Sequence, residues 1–383
     1  MQGKVGMNET WWVNSGQLDD DQKKVLKADT GESLLITGPP GSGKTNILLL
    51  RANYVKSVSP RILFITFTRT LTEFIRSGPS IGRPDQIQPD EITTFMGWGK
   101  KFLKDAGEGF VDPGGGFKKS RAALIAALNS YLDQDNPGIM YDSIFVDEVQ
   151  DFFSAELNIL TRLTHTINAA GDSRQAIWDH REGLPAMRDH ATEIVELQSH
   201  YRIGLNICNH ADRILPPKLG EPPMADGCAY DEKARPSSVV SIECDNEYSQ
   251  FLSCLGEIKG QLRYISDEPI LVLSHSQPTR DAFWAALQQD GELSSRSILQ
   301  SSEGYEAFGD HSLVRVMTIA SAKGSEARAV HLLKADRLTT GLRELAFTAV
   351  TRAKTEVVLY HSRPLPGHLK PQADSLPDLE DLF

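Results

Sequence analysis

Ser33 to Thr45 reads SLLITGPPGSGKT: an apolar run, a turn of glycine and proline, and a Lys-Thr pair that opens a stretch of helical period. This satisfies GxxxxGK[ST] in the setting that pattern requires, between a buried strand and a helix N-terminus. Glycines at 38, 41 and 43 let backbone N–H groups turn inward around phosphate oxygens, and the helix dipole adds favourable field. Gly38, Pro39, Pro40, Gly41, Ser42, Gly43, Lys44 and Thr45 therefore form the expected nucleotide cradle, with Lys44 reaching the β and γ phosphates and the Thr45 hydroxyl offered to Mg²⁺.

Short apolar runs recur on both sides of this stretch. In the first half they are Ser33–Thr37, Arg61–Thr66, Ser143–Val146, Asn168–Ala170 and Glu193–Leu197; in the second, Val239–Ile242, Pro269–Ser274, Leu313–Thr318, Ala329–Leu333 and Thr355–Tyr360. Segments of helical period fall between them, such as Lys44–Val58, Leu71–Ser77, Ser154–Leu163, Tyr248–Leu262 and Thr279–Gln289. The alternation predicts an α/β fold of two parallel sheets with crossover helices. The expected boundaries are 1–197 for the first lobe, 198–363 for the second and 364–383 for a tail, with a loop over Pro216–Pro236.

The run SIFV ends in Asp147, Glu148, Val149, Gln150 and Asp151. A strand that delivers adjacent carboxylates to its C-terminal edge suits a metal and an activated water, because burying a pair of acids otherwise costs several kcal/mol. Asp147 is expected to hold Mg²⁺ with Thr45, and Glu148 to polarise the attacking water.

The order of these motifs resembles the UvrD/Rep-like superfamily 1 DNA helicases, from Leu18 to Tyr360. Gln22 in LDDDQKKVL stands where that family reads adenine, and FTRTL (Phe67, Thr68) and TTFMGW (Thr94) look like its single-strand contacts. GDSRQAIW resembles the sensor motif, with Gln175 facing the γ-phosphate and Trp178, His180 and Arg181 among candidate nucleic-acid contacts. SHYRIG supplies Tyr201, which stacks on adenine in the family, and Arg202, which reaches the γ-phosphate. TIASAKGSE resembles the motif that couples nucleic-acid backbone to nucleotide, with Lys323 on the strand and Glu326 at the ribose; RELAFTAVTRAK carries Arg352 as the arginine finger. Asn46 replaces the family's usual adenine-sandwiching arginine, and Met96, Ala320 and His180 thin its aromatic ladder.

The resemblance implies two RecA-like lobes with ATP in the interdomain cleft, and ATP-driven movement on single-stranded DNA with 3′ to 5′ polarity. RNA remains open as a substrate, since phosphate and stacking contacts do not distinguish the sugar. The spacing between motifs leaves no room for large accessory domains, only a small helical stub over 97–133. That scarcity supports an alternative: a nucleotide-switched subunit that licenses a protein partner, as in two-protein systems of the bacterial phage-defence kind, with little unwinding of its own.

Composition narrows the mode of binding. The chain has 383 residues, 40% hydrophobic and 24% charged, and a net charge of −11, which argues against an all-over basic coat and against an anionic membrane as partner. The stub is locally basic, with Lys100, Lys101, Lys104, Lys118, Lys119 and Arg121 interleaved with Phe102, Phe110 and Phe117, a composition suited either to tracking a phosphate backbone or to an ordinary solvated face. The acidic end LPDLEDLF, with Leu376, Leu379, Leu382 and Phe383, reads as a solubilising tail or a docking peptide. Cys208, Cys228, Cys244 and Cys254 contain no CxxC spacing and are expected as reduced thiols of a cytoplasmic protein.

Overall fold

The computed structural model describes residues 16, 18–76, 82, 86–135, 137–177, 182–300 and 312–372. The candidates Trp178, His180 and Arg181 and the acidic tail end lie outside the described residues. The chain divides into two compact units, one of Met1–His200 with Lys323–Ser325, the other of Tyr201–Ala322 with Glu326–Phe383.

In the first unit α1 (Asp20–Lys27), β1 (Leu34–Thr37), α2 (Lys44–Lys56), β2 (Ile62–Thr66), α3 (Arg69–Arg76), β3 (Ile92–Thr94), α4 (Phe95–Asp105) and α5 (Phe117–Gln134) are followed by β4 (Ser143–Val146), α6 (Ser154–Thr161), β5 (Ile167–Gly171), α7 (Gly183–His190) and β6 (Glu193–Glu196). The six strands form one parallel sheet in the order β3-β2-β4-β5-β1-β6. Side chains alternate across it, so Leu35, Leu63, Ile65, Ile144 and Val146 pack under α4 to α7, while Leu34, Ile36, Ile62, Phe64 and Phe145 pack under α1 to α3.

The second unit runs α8 (Leu205–Ile214), β7 (Ser238–Glu243), α9 (Glu247–Gln261), β8 (Ile270–Ser274), α10 (Gln277–Gln288), β9 (Ser297–Leu299), β10 (Val314–Thr318), β11 (Ala327–Leu332), α11 (Arg343–Val350) and β12 (Ala353–His361). Its parallel sheet has the order β7-β12-β11-β8-β10-β9. One face packs on α8 and α11 through Ile207, Ile214, Phe347 and Val350, the other on α9 and α10 through Phe251, Ile258, Phe283 and Leu287. Both units are RecA-like α/β sheets with helices on both faces, as the alternation of the sequence implies.

Two strands escape the sequence reading, β3 and β9, and both are three-residue edge strands. An edge strand pairs on one side only and leaves no long apolar run, so its signature is weak. The stub 97–133 is the pair α4 and α5, whose apolar stripe of Trp98, Phe102, Leu103, Leu124, Leu128 and Leu132 is core. No helix of the described residues is long and apolar enough to cross a membrane.

Candidate functional site

The loop after β1 is shaped by backbone that only glycine adopts readily. Gly38 has φ 153°, and a Cβ there would lie 2.7 Å from the Leu197 carbonyl; Gly43 has φ 83° at the cap of α2. Lys44 lies across the loop, donating from Nζ to the carbonyls of Gly38 and Pro39, each at 2.8 Å. Gln22 braces the rim: its amide donates to the Ser42 carbonyl at 3.0 Å and accepts from the Asp19 N–H at 3.2 Å, closing the capping box of α1. Asn46 is buried at the start of α2, and the Ser42 hydroxyl is buried without a hydrogen-bond partner among the described residues. Pro39, Pro40 and Gly41 complete the turn.

β4 and β5 bring three carboxylates to the same edge. Because β5 lies between β4 and β1, the residue after it, Asp172, joins Asp147 and Glu148 there. Asp147 is 2% exposed; burial, then the neighbouring Glu148, push its carboxyl well above the usual carboxylate range, opposed by a hydrogen bond with the Thr45 side chain. Its Oδ1 accepts the Glu148 N–H at 3.0 Å, whereas Oδ2 is buried with no hydrogen-bond partner among the described residues. A hydroxyl beside a carboxylate with an orphaned oxygen fits a hard divalent cation such as Mg²⁺. Asp172 repeats the pattern: Oδ1 accepts from Arg174 N at 2.9 Å, Oδ2 is orphaned, and burial raises its pKa against the pull of Lys44.

Glu148 adopts φ 56°, one of two non-glycine residues with positive φ among the described residues, so the chain turns sharply as it leaves β4. Gln175 is buried, with its N–H on the Asp172 carbonyl at 3.2 Å.

In the second unit Tyr201 is exposed, while Arg202 pairs with Glu326 at 2.7 Å. Arg352 is buried and donates from Nε to the Thr348 carbonyl at 3.1 Å.

The nucleic-acid candidates fare differently. Thr68 and Thr94 use their hydroxyls locally, accepting from Leu71 N and Gly97 N at the starts of α3 and α4. Phe67 is half-buried, its ring edge-on to Phe152 at 5.9 Å and to Phe117 at 6.3 Å. Lys323 requires a correction. Expected to contact nucleic acid, it is 1% exposed, with Nζ 2.5 Å from Asp151 Oδ2 and 2.6 Å from the Gln175 carbonyl, because a buried carboxylate, not a phosphate, supplies its counter-charge.

In the basic stub the cations differ in their surroundings. Arg121 is buried against Glu156, which accepts from Nε at 2.6 Å and from Nη2, and the guanidinium lies 4.4 Å from the Phe153 ring centroid and 5.1 Å from that of Phe67. Lys100 pairs with Asp112 at 2.9 Å and Lys101 with Asp105, which leaves Lys104, Lys118 and Lys119 with no ion pair among the described residues. Asp151, Asp172 and Gln150 were not assigned by sequence reasoning; for Asp172 the signal was a polar residue placed directly after an apolar strand, and Gln150 and Asp151 lie in the turn Val149–Asp151 beyond β4.

Comparison with known proteins follows the same division. An AAA domain family matches residues 22–180, and the UvrD-like helicase C-terminal domain family matches residues 313–360. No curated protein matches the sequence. Among solved structures, the PRRSV helicase shares 17% identity over 89% of this chain and 54% of that one, with a TM-score of 0.44. Arterivirus nonstructural protein 10 (helicase) shares 18% identity over 88% of this chain and 61% of that one, TM-score 0.40; its complex with DNA shows 17% over 88% and 62%, TM-score 0.39. The chain thus spans between 54% and 62% of the length of those solved chains. The first unit thus carries a match to an AAA domain family and the second a match to the UvrD-like helicase C-terminal domain family, and in this the chain is similar to UvrD-like helicases.

Proposed function

We propose that the protein is an ATP-driven motor on single-stranded DNA, moving 3′ to 5′, with residues 1–197 and 198–363 as its lobes. The observation that carries this is the strand edge of the first sheet, where a glycine-shaped loop, Lys44, Thr45 and the orphaned oxygens of Asp147 and Asp172 meet. Mg²⁺ held by Thr45 and Asp147 would neutralise phosphate charge. The chain's own residues do the rest: Lys44 exchanges its loop carbonyls for phosphate oxygens, Glu148 orients and polarises water, and Gln175 faces the γ-phosphate. Gln22, Asn46, Tyr201 and Glu326 are proposed for base and ribose, and Arg202 and Arg352 as the cations that complete the transition-state site.

The test is ATP turnover with and without single-stranded oligonucleotide at low and moderate salt. Stimulation by the oligonucleotide, weakening with salt, is expected. Absence of stimulation by any nucleic acid overturns the motor. Competition between matched DNA and RNA strands decides the sugar.

A second reading is favoured by the burial of Lys323 and Arg121, which removes two cations from the expected nucleic-acid surface. In that reading nucleotide occupancy licenses a protein partner. ATPase activity without strand displacement by the isolated chain supports it, and robust unwinding rejects it.

A further inference from the structure

Glu148 is held by more than its backbone. Its Oε2 accepts from Gln150 Nε2 at 2.5 Å, and Lys323 Nζ lies 3.6 Å from the same oxygen. Gln150 is buried and its amide has one orientation, because Oε1 accepts the Asp172 N–H at 3.0 Å and leaves Nε2 to face Glu148. The approach depends on Gly171, where a Cβ would come 2.7 Å from that Oε1. Lys323, which belongs to the first unit, is fixed in turn by Asp151 Oδ2 at 2.5 Å and by the Gln175 carbonyl at 2.6 Å. Arg121 Nη2 donates to the Asp151 carbonyl at 2.9 Å and ties this group to the buried pair with Glu156.

We propose that Gln150 and Lys323 are positioning residues for hydrolysis: a brace of one hydrogen bond, from Gln150, and one ion pair, with Lys323, that holds Oε2 of Glu148 and thereby sets the direction of its other oxygen. The same brace links the strand-end carboxylates to both ends of the segment Asp172–Gln175, so the water-orienting group and the γ-phosphate sensor keep a fixed relation. Neither side chain touches substrate. The proposal rests on Glu148 being the carboxylate that polarises water. Its physical content is that misplacing a reacting group by about 1 Å costs on the order of 100-fold in rate.

The test uses the full chain with Gln150→Met, Lys323→Met and Lys323→Arg, measuring kcat and KM for ATP, affinity for a fluorescent ADP, and Tm. The methionine variants are expected to lose roughly 30- to 100-fold in kcat while KM and ADP affinity stay within about threefold. Lys323→Arg is expected to recover about tenfold of that loss by restoring the cation. Unchanged kcat per folded molecule, or parallel loss of ADP binding, overturns the brace and leaves only a structural role. Should Lys323→Met fail to fold because Asp151 loses its cation, Gln150→Met decides alone. A wild-type chain that does not hydrolyse ATP, or a Glu148→Ala variant that still does, refutes the reading of Glu148 instead, which separates the two failures.

Discussion

Two buried polar clusters, one in each sheet, obey opposite rules. In the second sheet Glu356 Oε2 accepts from Gln261 Nε2 at 2.9 Å, Gln261 Oε1 meets His331 Nε2 at 2.7 Å, and His331 Nδ1 meets the Tyr360 hydroxyl at 2.9 Å. Each group answers the next, and the Gln261 orientation fixes the imidazole tautomer with the proton on Nε2. At the edge of the first sheet, Ser42 Oγ, Asp147 Oδ2 and Asp172 Oδ2 are equally buried and have no hydrogen-bond partner among the described residues. A cluster that satisfies itself is structure; one that leaves oxygens orphaned is arranged for something that arrives from outside. Substitutions in the two clusters should therefore move different observables.

The largest effect is expected at the orphaned edge, and in turnover. Lys44→Ala and Glu148→Ala should each lower kcat by about 1,000-fold or more, equivalent to roughly 4 kcal/mol of transition-state stabilisation. Tm should stay within about 4 °C of wild type, since neither side chain belongs to the core. Steady-state ATPase assays with thermal melts check both halves, and a folded Lys44→Ala variant with ordinary turnover would place the chemistry elsewhere.

Next is a self-satisfied pair inside the first unit. Glu156→Ala leaves Arg121 buried without its carboxylate and should cost about 3 kcal/mol of stability by urea titration. Arg121 keeps its bond to the Asp151 carbonyl, so the folded fraction should retain most of its ATPase activity.

How much of this contrast the sequence carries depends on the range of the interaction. The strands were legible because Leu34–Ile36, Ile62–Ile65 and Ile270–Leu273 are buried on both faces and so form unbroken apolar runs. The loop Gly38–Thr45 was legible because its chemistry is local to eight residues. Lys323 was not, because its burial is decided by Asp151 and Gln175, which are remote in the chain. Arg121 stayed undecided for the same reason: a cation among aromatics fits a backbone-tracking surface or an ordinary helix face equally until Glu156 is placed against it. Spacing reports which residues share an element, and it is silent on which distant partner neutralises a charge.

The third prediction sets the satisfied cluster against pH. Burial pulls the His331 pKa down from 6.5 to about 3, so above pH 6.5 the ring is neutral both folded and unfolded. Below that the unfolded chain takes up a proton that the folded chain refuses. Stability is lost as pH falls from about 6.5 toward 3, at about 1.4 kcal/mol per unit, or about 2 kcal/mol by pH 5. His331→Asn should start less stable at pH 7.5 and show a flatter decline in urea titrations between pH 7.5 and 5. An unchanged slope would mean that other groups set the acid limb.

The smallest effect on stability is the one that separates the clusters most sharply. Asp147→Asn keeps an oxygen for the Glu148 N–H and for the Thr45 hydroxyl but removes a carboxylate that burial and Glu148 both disfavour. The nucleotide-free variant should therefore gain about 1 kcal/mol, or 2 to 4 °C in Tm, while losing ATP turnover. A buried group whose removal stabilises the fold is there for a ligand, whereas the corresponding change in the other sheet, Tyr360→Phe, strips His331 Nδ1 of its donor and should destabilise without touching chemistry. Adding Mg²⁺ sharpens the contrast: it should raise the Tm of the wild-type chain and leave Asp147→Asn nearly where it was, because only the carboxylate gives the cation reason to bind. If Asp147→Asn instead melts lower than wild type without metal, the orphaned oxygen has a structural task and the two clusters are of one kind.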